Sequence, residues 1–429
     1  MLIEFQVSNF RSFRTSQTLS MVAASFAEHT GTNTFDSKLR GFGQVLRSAA
    51  LYGPNAAGKT NLLLALQFMQ GMILQSASAG PTTDPPYAPF KLSKATRAAP
   101  TEFRITFVQG GVRYEYGFSN DAKRVRKEWL MEYVHPRGRA IFERTYIDRG
   151  EKYQWSFSSF LKGRRSVWSE ATRPNALFLS TAAQLNSKQL LPVFEWFQKR
   201  LVVIVGASKL NPTLTLQLLD KPNGRRRLMP FIREADLGIA DITVTREPLP
   251  AGDSVAIIGG GFIEQTPNSQ VRNLVKITFS HLDDEAKPVL LGLADESAGT
   301  QIFFSTAGAW LNVFANGEII LIDEIDTSLH PLLIKYLISK FHSNSTNPRN
   351  AQLVFTTHNT SLLTQEMFRR DQIWFVEKDN NGSTRLYSLT DFKPRSDEVL
   401  ERWYLRGRYG ALPILKEPSG GTEEIAAKL

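Results

Sequence analysis

The sequence predicts an α/β fold organised on a parallel sheet, and three stretches carry that prediction. The first, Gly53-Pro54-Asn55-Ala56-Ala57-Gly58-Lys59-Thr60, fits the G-x-x-x-x-G-K-[ST] pattern of a phosphate-binding loop. The second is the apolar run Ile319-Ile320-Leu321-Ile322, which closes on the acid pair Asp323-Glu324. The third, Leu353-Val354-Phe355-Thr356-Thr357, closes on His358. Short uninterrupted apolar runs are how strands covered on both faces read, as in a parallel sheet flanked by helices.

The loop needs its residue types for physical reasons. Glycines at 53 and 58 let successive backbone N–H groups curl around phosphate oxygens with no Cβ in the way, making an anion nest. Lys59 brings a point charge to the β and γ phosphates, and Thr60 offers its hydroxyl to Mg²⁺. Context agrees. Ala49-Ala50-Leu51-Tyr52 reads as the end of a buried strand, and residues 61–69 as the start of a helix, running to about 75, whose N-terminus faces the nucleotide. The expected nucleotide contacts are Gly53, Pro54, Asn55, Ala56, Ala57, Gly58, Lys59, Thr60 and Asn61. A chance match to the pattern is the alternative, and the strand before and helix after argue against it.

Composition bounds the rest. With 42% apolar and 21% charged residues, the 429-residue chain has the make-up of an ordinary soluble protein, with room for two or three domains. Cysteine is absent from the sequence, so disulfides, thiolate metal sites and thiol nucleophiles are excluded. The opening Met-Leu-Ile-Glu-Phe-Gln-Val-Ser lacks the basic-then-apolar pattern of a secretory signal, and no apolar run approaches the ~18 residues of a membrane helix. A cytoplasmic protein with no membrane partner is expected. The net charge of +10 permits nucleic acid or an acidic protein as partner without selecting either.

Along the chain, residues 1–20 alternate as a first strand would, and 76–89 is a loop by composition. From 101 the pattern turns to β-alternation, at 101–108, 112–119, 127–134, 140–146 and 153–158, predicting an antiparallel meander over one side of the nucleotide domain. Residues 175–200 read as helix and 201–207 as a buried strand. Beyond them come a Gly-Arg-Arg-Arg turn at 224–227, a helix-like 228–237 and strand pairs around Gly259-Gly260-Gly261. The expected division is 1–160 as the N-terminal half of the ATPase-like domain, 161–290 as an inserted α+β lobe, and 291–429 as the C-terminal half.

Basic clusters sit at Lys123-Arg124-Val125-Arg126-Lys127, at Lys162 with Arg164-Arg165, at Arg225-Arg226-Arg227, and at Arg402, Arg406 and Arg408 near Trp403, Tyr404 and Tyr409. Solvated loops are the plain reading of these; docking of a protein or nucleic acid is the other.

At the end of the 319–322 run, Asp323 is placed to hold Mg²⁺ through its water shell and Glu324 to take the proton of a water attacking the γ-phosphate. Two solvated acids on a turn are the alternative, disfavoured behind a phosphate loop. Asp295-Glu296-Ser297-Ala298-Gly299-Thr300-Gln301 precedes an apolar helix at 302–314, so Ser297 and Gly299 would offer a hydroxyl and a close backbone to another anion. An ordinary helix cap explains the same residues. A lone His at the position of His358 is more often structural than functional.

The order of these motifs changes their weight. The chain resembles the ABC-type ATPases of the RecF/SMC/OLD group. Gly53–Thr60 matches their Walker A, Ser297-Ala298-Gly299-Thr300 a degenerate signature with Thr300 where Gln or Glu is usual, and Asp323-Glu324 their Walker B. Asp326-Thr327-Ser328-Leu329-His330-Pro331 matches the D-loop, and His358 the switch histidine. Asn9-Phe10-Arg11-Ser12-Phe13 is similar to the start of those proteins, and Tyr404-Leu405-Arg406-Gly407-Arg408-Tyr409-Gly410-Ala411-Leu412-Pro413 to the ending of the RloA/AbiLi-type ATPases of bacterial phage-defence operons.

The resemblance implies a P-loop NTPase fold of ABC type, a mixed central sheet with an antiparallel meander on one side. It implies ATP and Mg²⁺ as ligands, with Thr60 and Asp323 on the metal and Lys59, Glu324 and His358 in hydrolysis. It also implies a homodimer or higher homo-oligomer that sandwiches ATP, Ser297 and Gly299 of one subunit approaching the γ-phosphate held by Lys59 of the other. No convincing Q-loop glutamine follows Walker A; Gln109 is a weak candidate, and Pro89-Phe90-Lys91-Leu92 is the segment that replaces it. The stretch after His358 is too short for the Toprim nuclease of OLD proteins, so a nuclease or toxin effector is expected on a separate chain. A RecF-like DNA-repair ATPase and a nucleotide-gated scaffold are the competing readings, the second disfavoured by intact Lys59, Asp323 and Glu324.

Overall fold

A computed structural model describes residues 1–413 except 40–41, 135–136, 207–210, 236, 250–261, 266–271 and 396–397. Its centre is a six-stranded sheet in the order Leu201–Ile204, Ile319–Ile322, Gln352–Thr356, Ser48–Tyr52, Ile373–Lys378, Thr384–Ser388. The first five run parallel and the last turns back antiparallel. Ser48–Tyr52, Ile319–Ile322 and Gln352–Thr356 are buried along their whole length, which is why their sequences carry no polar alternation.

The two-residue period of a strand splits their side chains between two cores. Ala49, Leu51, Leu321 and Val354 face one core with the helix Lys59–Gln75 and the antiparallel sheet. Ala50, Tyr52, Ile320, Ile322, Leu353 and Phe355 face the other, with the helices Ala298–Asn316 and Pro331–His342.

The antiparallel sheet has seven strands in the order Lys152–Phe157, Arg139–Ile147, Val125–Tyr133, Val112–Asn120, Thr101–Gln109, Leu2–Ser8, Gln17–Ser20. The expected meander is all there, and the N-terminal strand continues it by pairing with Thr101–Gln109. Gln352 fastens this sheet to the parallel one. Its Oε1 accepts from Leu2 N at 2.6 Å while its Nε2 donates to Leu2 O and Leu46 O, each at 3.0 Å. A parallel sheet with an antiparallel sheet beside it and helices between is the ABC-type P-loop arrangement that the resemblance implies.

Three local expectations change. Residues 175–200 form two helices, Phe178–Gln184 and Leu191–Arg200. Asn186, at φ 59° in the left-handed region, ends the first, and Pro192 in the first turn starts the second. The Gly-Arg-Arg-Arg turn is instead part of the helix Pro222–Arg233. Gly224 is there for close approach, since a Cβ would lie 2.2 Å from Leu218 O. The block beginning at 201 makes only a half-buried edge strand, Leu201–Ile204, and its last residue, Ala207, lies outside the described residues, as does Gly259-Gly260-Gly261.

Leu201–Ile204 also means that the 161–290 segment lends a strand to the central sheet. Later in that segment, Arg272–Leu282 pairs on one side with Asp241–Leu249 and on the other with Phe262–Gln265 and Pro288–Gly292. This small sheet and the helix Pro222–Arg233 pack on Ala298–Asn316, with Phe279 edge-on to Phe304 and Phe231 stacked on Phe303. No described helix is long and apolar enough to cross a membrane.

Candidate functional site

The loop 53–58 leaves the C-terminal end of Ser48–Tyr52 and enters the helix Lys59–Gln75. Gly53 is required by close approach, because a Cβ would fall 2.1 Å from Val376 O on the neighbouring strand. Gly58 is required twice over. Its φ is 114°, and a Cβ would sit 2.2 Å from Thr384 Oγ1 and 2.8 Å from Ser12 Oγ. As the helix N-cap, Gly58 makes no side-chain cap, so the first-turn N–H groups keep their capacity for an anion.

Lys59 is buried, and its Nζ donates to Gly53 O at 2.8 Å and Pro54 O at 3.0 Å. Burial lowers its pKa to about 8, outweighing the upward pull of Asp323, Glu324 and Asp326. This gives a pH test. A phosphate is served only by the protonated ammonium, and its own last proton leaves near pH 6. Nucleotide affinity should therefore hold steady below pH 8 and fall above it by up to about tenfold per unit, as Lys59 releases a proton that binding must restore. Titration of nucleotide affinity between pH 7 and 9.5 checks this.

Asp323 is buried at the end of Ile319–Ile322, between two hydroxyls. Thr60 Oγ1 donates to its Oδ2 at 2.9 Å and Thr356 Oγ1 to its Oδ1 at 2.7 Å. Among the described residues no group of three or more His, Asp or Glu side chains is placed to hold a metal ion by itself. A Mg²⁺ held by one carboxylate, one hydroxyl, waters and phosphate oxygens needs no such group, and the Thr60–Asp323 pair fits it.

Glu324 is exposed, with its backbone in the left-handed region at φ 46°. Its N–H donates to Thr356 Oγ1 at 2.6 Å, and Thr327 Oγ1 donates to its Oε2 at 3.2 Å. His358 follows Gln352–Thr356, and its N–H donates to Asp326 Oδ2 at 3.0 Å. Its imidazole pKa is lowered, first by burial and then by Lys59, which favours the neutral ring.

Lys59, Asp323, Glu324 and His358 thus gather at the carboxyl ends of adjacent strands, where open α/β sheets bind ligands. A cleft of about 650 Å³ lies there, with residues 53–57 on one side and His358 and Thr360 on another. Tyr404, Leu405, Leu412 and Pro413 of the tail form a further wall.

Ser297 and Gly299 lie elsewhere. Ser297 caps the helix Ala298–Asn316, accepting from Thr300 N at 3.1 Å. Gly299 makes room for the D-loop, since a Cβ would lie 2.4 Å from Ser328 O. These residues line a second depression with Ser328, Leu329 and His330, which shares no lining residue with the loop cleft.

Gln109 is not at the loop. It ends Thr101–Gln109 and lines a cleft with Arg200, Asn316 and Glu318, at the sheet's other end. Pro89-Phe90-Lys91-Leu92 lies against the N-terminal motif, where Phe90 N donates to Asn9 Oδ1 at 3.0 Å. That motif has a definite task. Ser12 Oγ accepts from Asn61 Nδ2 and from Thr384 Oγ1, each at 2.8 Å, and Thr384 Oγ1 also reaches Ala57 O at 2.7 Å. Asn61 therefore braces the loop from outside. Sequence reasoning missed Ser12, Thr356 and Thr384, and a resemblance at Asn9–Phe13 was the only signal for any of them.

Much of the basic charge is answered locally. Arg126 meets Asp121 and Asp148, Lys127 Glu143, Arg225 Asp241, and Arg408 Glu398.

The family described as "AAA domain, putative AbiEii toxin, Type IV TA system" matches residues 48–364. No curated protein matches the chain. Among solved structures it is similar to the SmcHead bound to the C-winged helix domain of ScpA, at 13% identity and a TM-score of 0.39 over 90% of this chain and 97% of that one. It is also similar to the SMC head domain from Thermotoga maritima, at 12% and 0.38 over 90% and 98%. A third is the Smc head domain with an extended coiled coil bound to the C-terminal domain of ScpA derived from Pyrococcus furiosus, at 14% and 0.39 over 90% and 96%.

Proposed function

This chain belongs to that AAA-domain family, and we propose that it is a Mg²⁺-dependent ATPase that dimerises around ATP to regulate a separate nuclease or toxin effector in bacterial phage defence. The observation that carries the ATPase reading is the gathering of Lys59, Thr60, Asp323, Glu324 and His358 at one rim of the parallel sheet. Lys59 exchanges its two loop carbonyls for the β and γ phosphates. Thr60 and Asp323 would hold Mg²⁺, which supplies charge neutralisation on those phosphates. Glu324 accepts the proton of the attacking water, and neutral His358 offers an N–H to the γ-phosphate. The phage-defence assignment draws on the tail 404–413 and on the toxin–antitoxin wording of the family description.

The dimer follows from the two separate depressions. Ser297, Gly299 and the D-loop form a face that does not reach Lys59's cleft within one chain, so a second copy brings its own face to complete the site. Residues 1–160 and 291–429 are then the two halves of the ATPase domain, with 161–290 inserted between them.

Mixing subunits tests this. Ser297→Arg and Lys59→Ala proteins should each be inactive alone, and a mixture should regain up to half the wild-type turnover per heterodimer, because one of its two composite sites is intact. Full activity of either variant alone rejects the shared site.

A further inference from the structure

We propose that Thr356 is the positioning residue for the acid pair, its single hydroxyl setting both Asp323 and Glu324; the idea rests on the ATPase reading above. Thr356 is fully buried at the end of Gln352–Thr356. A threonine hydroxyl has one hydrogen to give and two lone pairs to receive. Here the hydrogen goes to Asp323 Oδ1 at 2.7 Å, and a lone pair receives the Glu324 N–H at 2.6 Å.

The consequences differ for the two acids. Asp323, taking Thr356 on one oxygen and Thr60 on the other, has its carboxylate plane fixed from two neighbouring strands. Glu324 is held at a left-handed φ of 46°, a region that non-glycine residues keep only where surrounding bonds demand it. That turn sends the Glu324 side chain to the exposed rim. Two more bonds zip the same segments together, Ile325 N to Thr356 O at 3.0 Å and His358 N to Asp326 Oδ2 at 3.0 Å. The acid turn and the histidine therefore sit on one support, and the Thr356 hydroxyl is the part of it that touches both carboxylate residues.

Thr356→Val keeps the side-chain shape and the backbone carbonyl and removes only the hydroxyl. Thr356→Ser restores it. In the full-length protein, binding of a fluorescent ATP analogue is measured against Mg²⁺ concentration, and kcat and KM against ATP, with Glu324→Gln alongside.

Groups that orient a metal ligand typically contribute about ten- to hundredfold to metal affinity or activity. Thr356→Val should raise the Mg²⁺ concentration for half-maximal binding by about that factor and lower kcat by about as much. It should leave Mg²⁺-free nucleotide affinity unchanged, and Ser should recover most of both losses. A Val variant with wild-type Mg²⁺ requirement and kcat overturns the proposal, as does a Ser variant as impaired as Val. If Val fails to fold, Thr356→Ala is judged by the same two readouts. A wild-type protein with no turnover, indifferent to Glu324→Gln, rejects the ATPase reading instead; the Mg²⁺ titration needs no turnover and still decides the role of Thr356.

Discussion

Glu324→Gln should bind ATP as the wild type does and turn it over about 10²- to 10⁴-fold more slowly, the range that general-base removal costs. The substitution is sterically silent. Glutamine keeps the length and an oxygen for the Thr327 hydroxyl, and the bond that fixes this position comes from the backbone N–H, which does not change. What disappears is the capacity to take a proton. Because hydrolysis is the step that separates the proposed pair, the variant should accumulate as an ATP-bound dimer, doubling its mass in light scattering with ATP and not with ADP. Phosphate release at the wild-type rate would remove Glu324 from the mechanism.

Lys59→Ala should weaken ATP binding by about 10²-fold or more, the loss of charge-assisted bonds to two phosphates, and do so at little expense to the folded chain. The reason lies in the lysine's surroundings. Burial pulls its pKa down to about 8, so the folded protein does not welcome the charge, and the bonds to Gly53 O and Pro54 O offset that only in part. Removing the side chain gives up both bonds and relieves the buried charge, two changes of opposite sign. The melting temperature without nucleotide should therefore stay close to the wild type. Saturating ATP should raise the wild-type melting temperature by several degrees, through preferential binding to the folded state, and leave the variant unmoved. A variant that melts far lower without nucleotide would show that Lys59 is chiefly structural.

The parts of this architecture that could be read in advance are those with a local signature. Ser48–Tyr52, Ile319–Ile322 and Gln352–Thr356 announce themselves because a strand covered on both faces has no room for polar alternation. The glycine spacing of the loop is set by backbone sterics within eight residues, so it too is visible.

What could not be read depends on residues brought together from far along the chain. Thr356 gains its meaning from Asp323 and Glu324, and Thr384 from Ser12 and Ala57. A threonine near the end of an apolar strand looks the same whether or not a carboxylate lies across from it. Gly224 misled in the opposite direction, because a glycine kept for helix contact and one kept for a turn are identical in sequence. The split of 175–200 turns on Asn186 entering the left-handed region, a choice that helix periodicity cannot show.

The amide of Gln352 has a last consequence, for how the polypeptide emerges from the ribosome. Leu2, among the first residues made, stays unfastened until residue 352 has left the exit tunnel. Ser48–Tyr52 waits equally long, since both of its sheet neighbours come from beyond residue 350. The nascent chain must therefore carry unpaired strand edges through most of its translation, the condition under which large proteins aggregate or need chaperones. Slow translation and low temperature should raise the soluble yield of this protein more than any change to its surface.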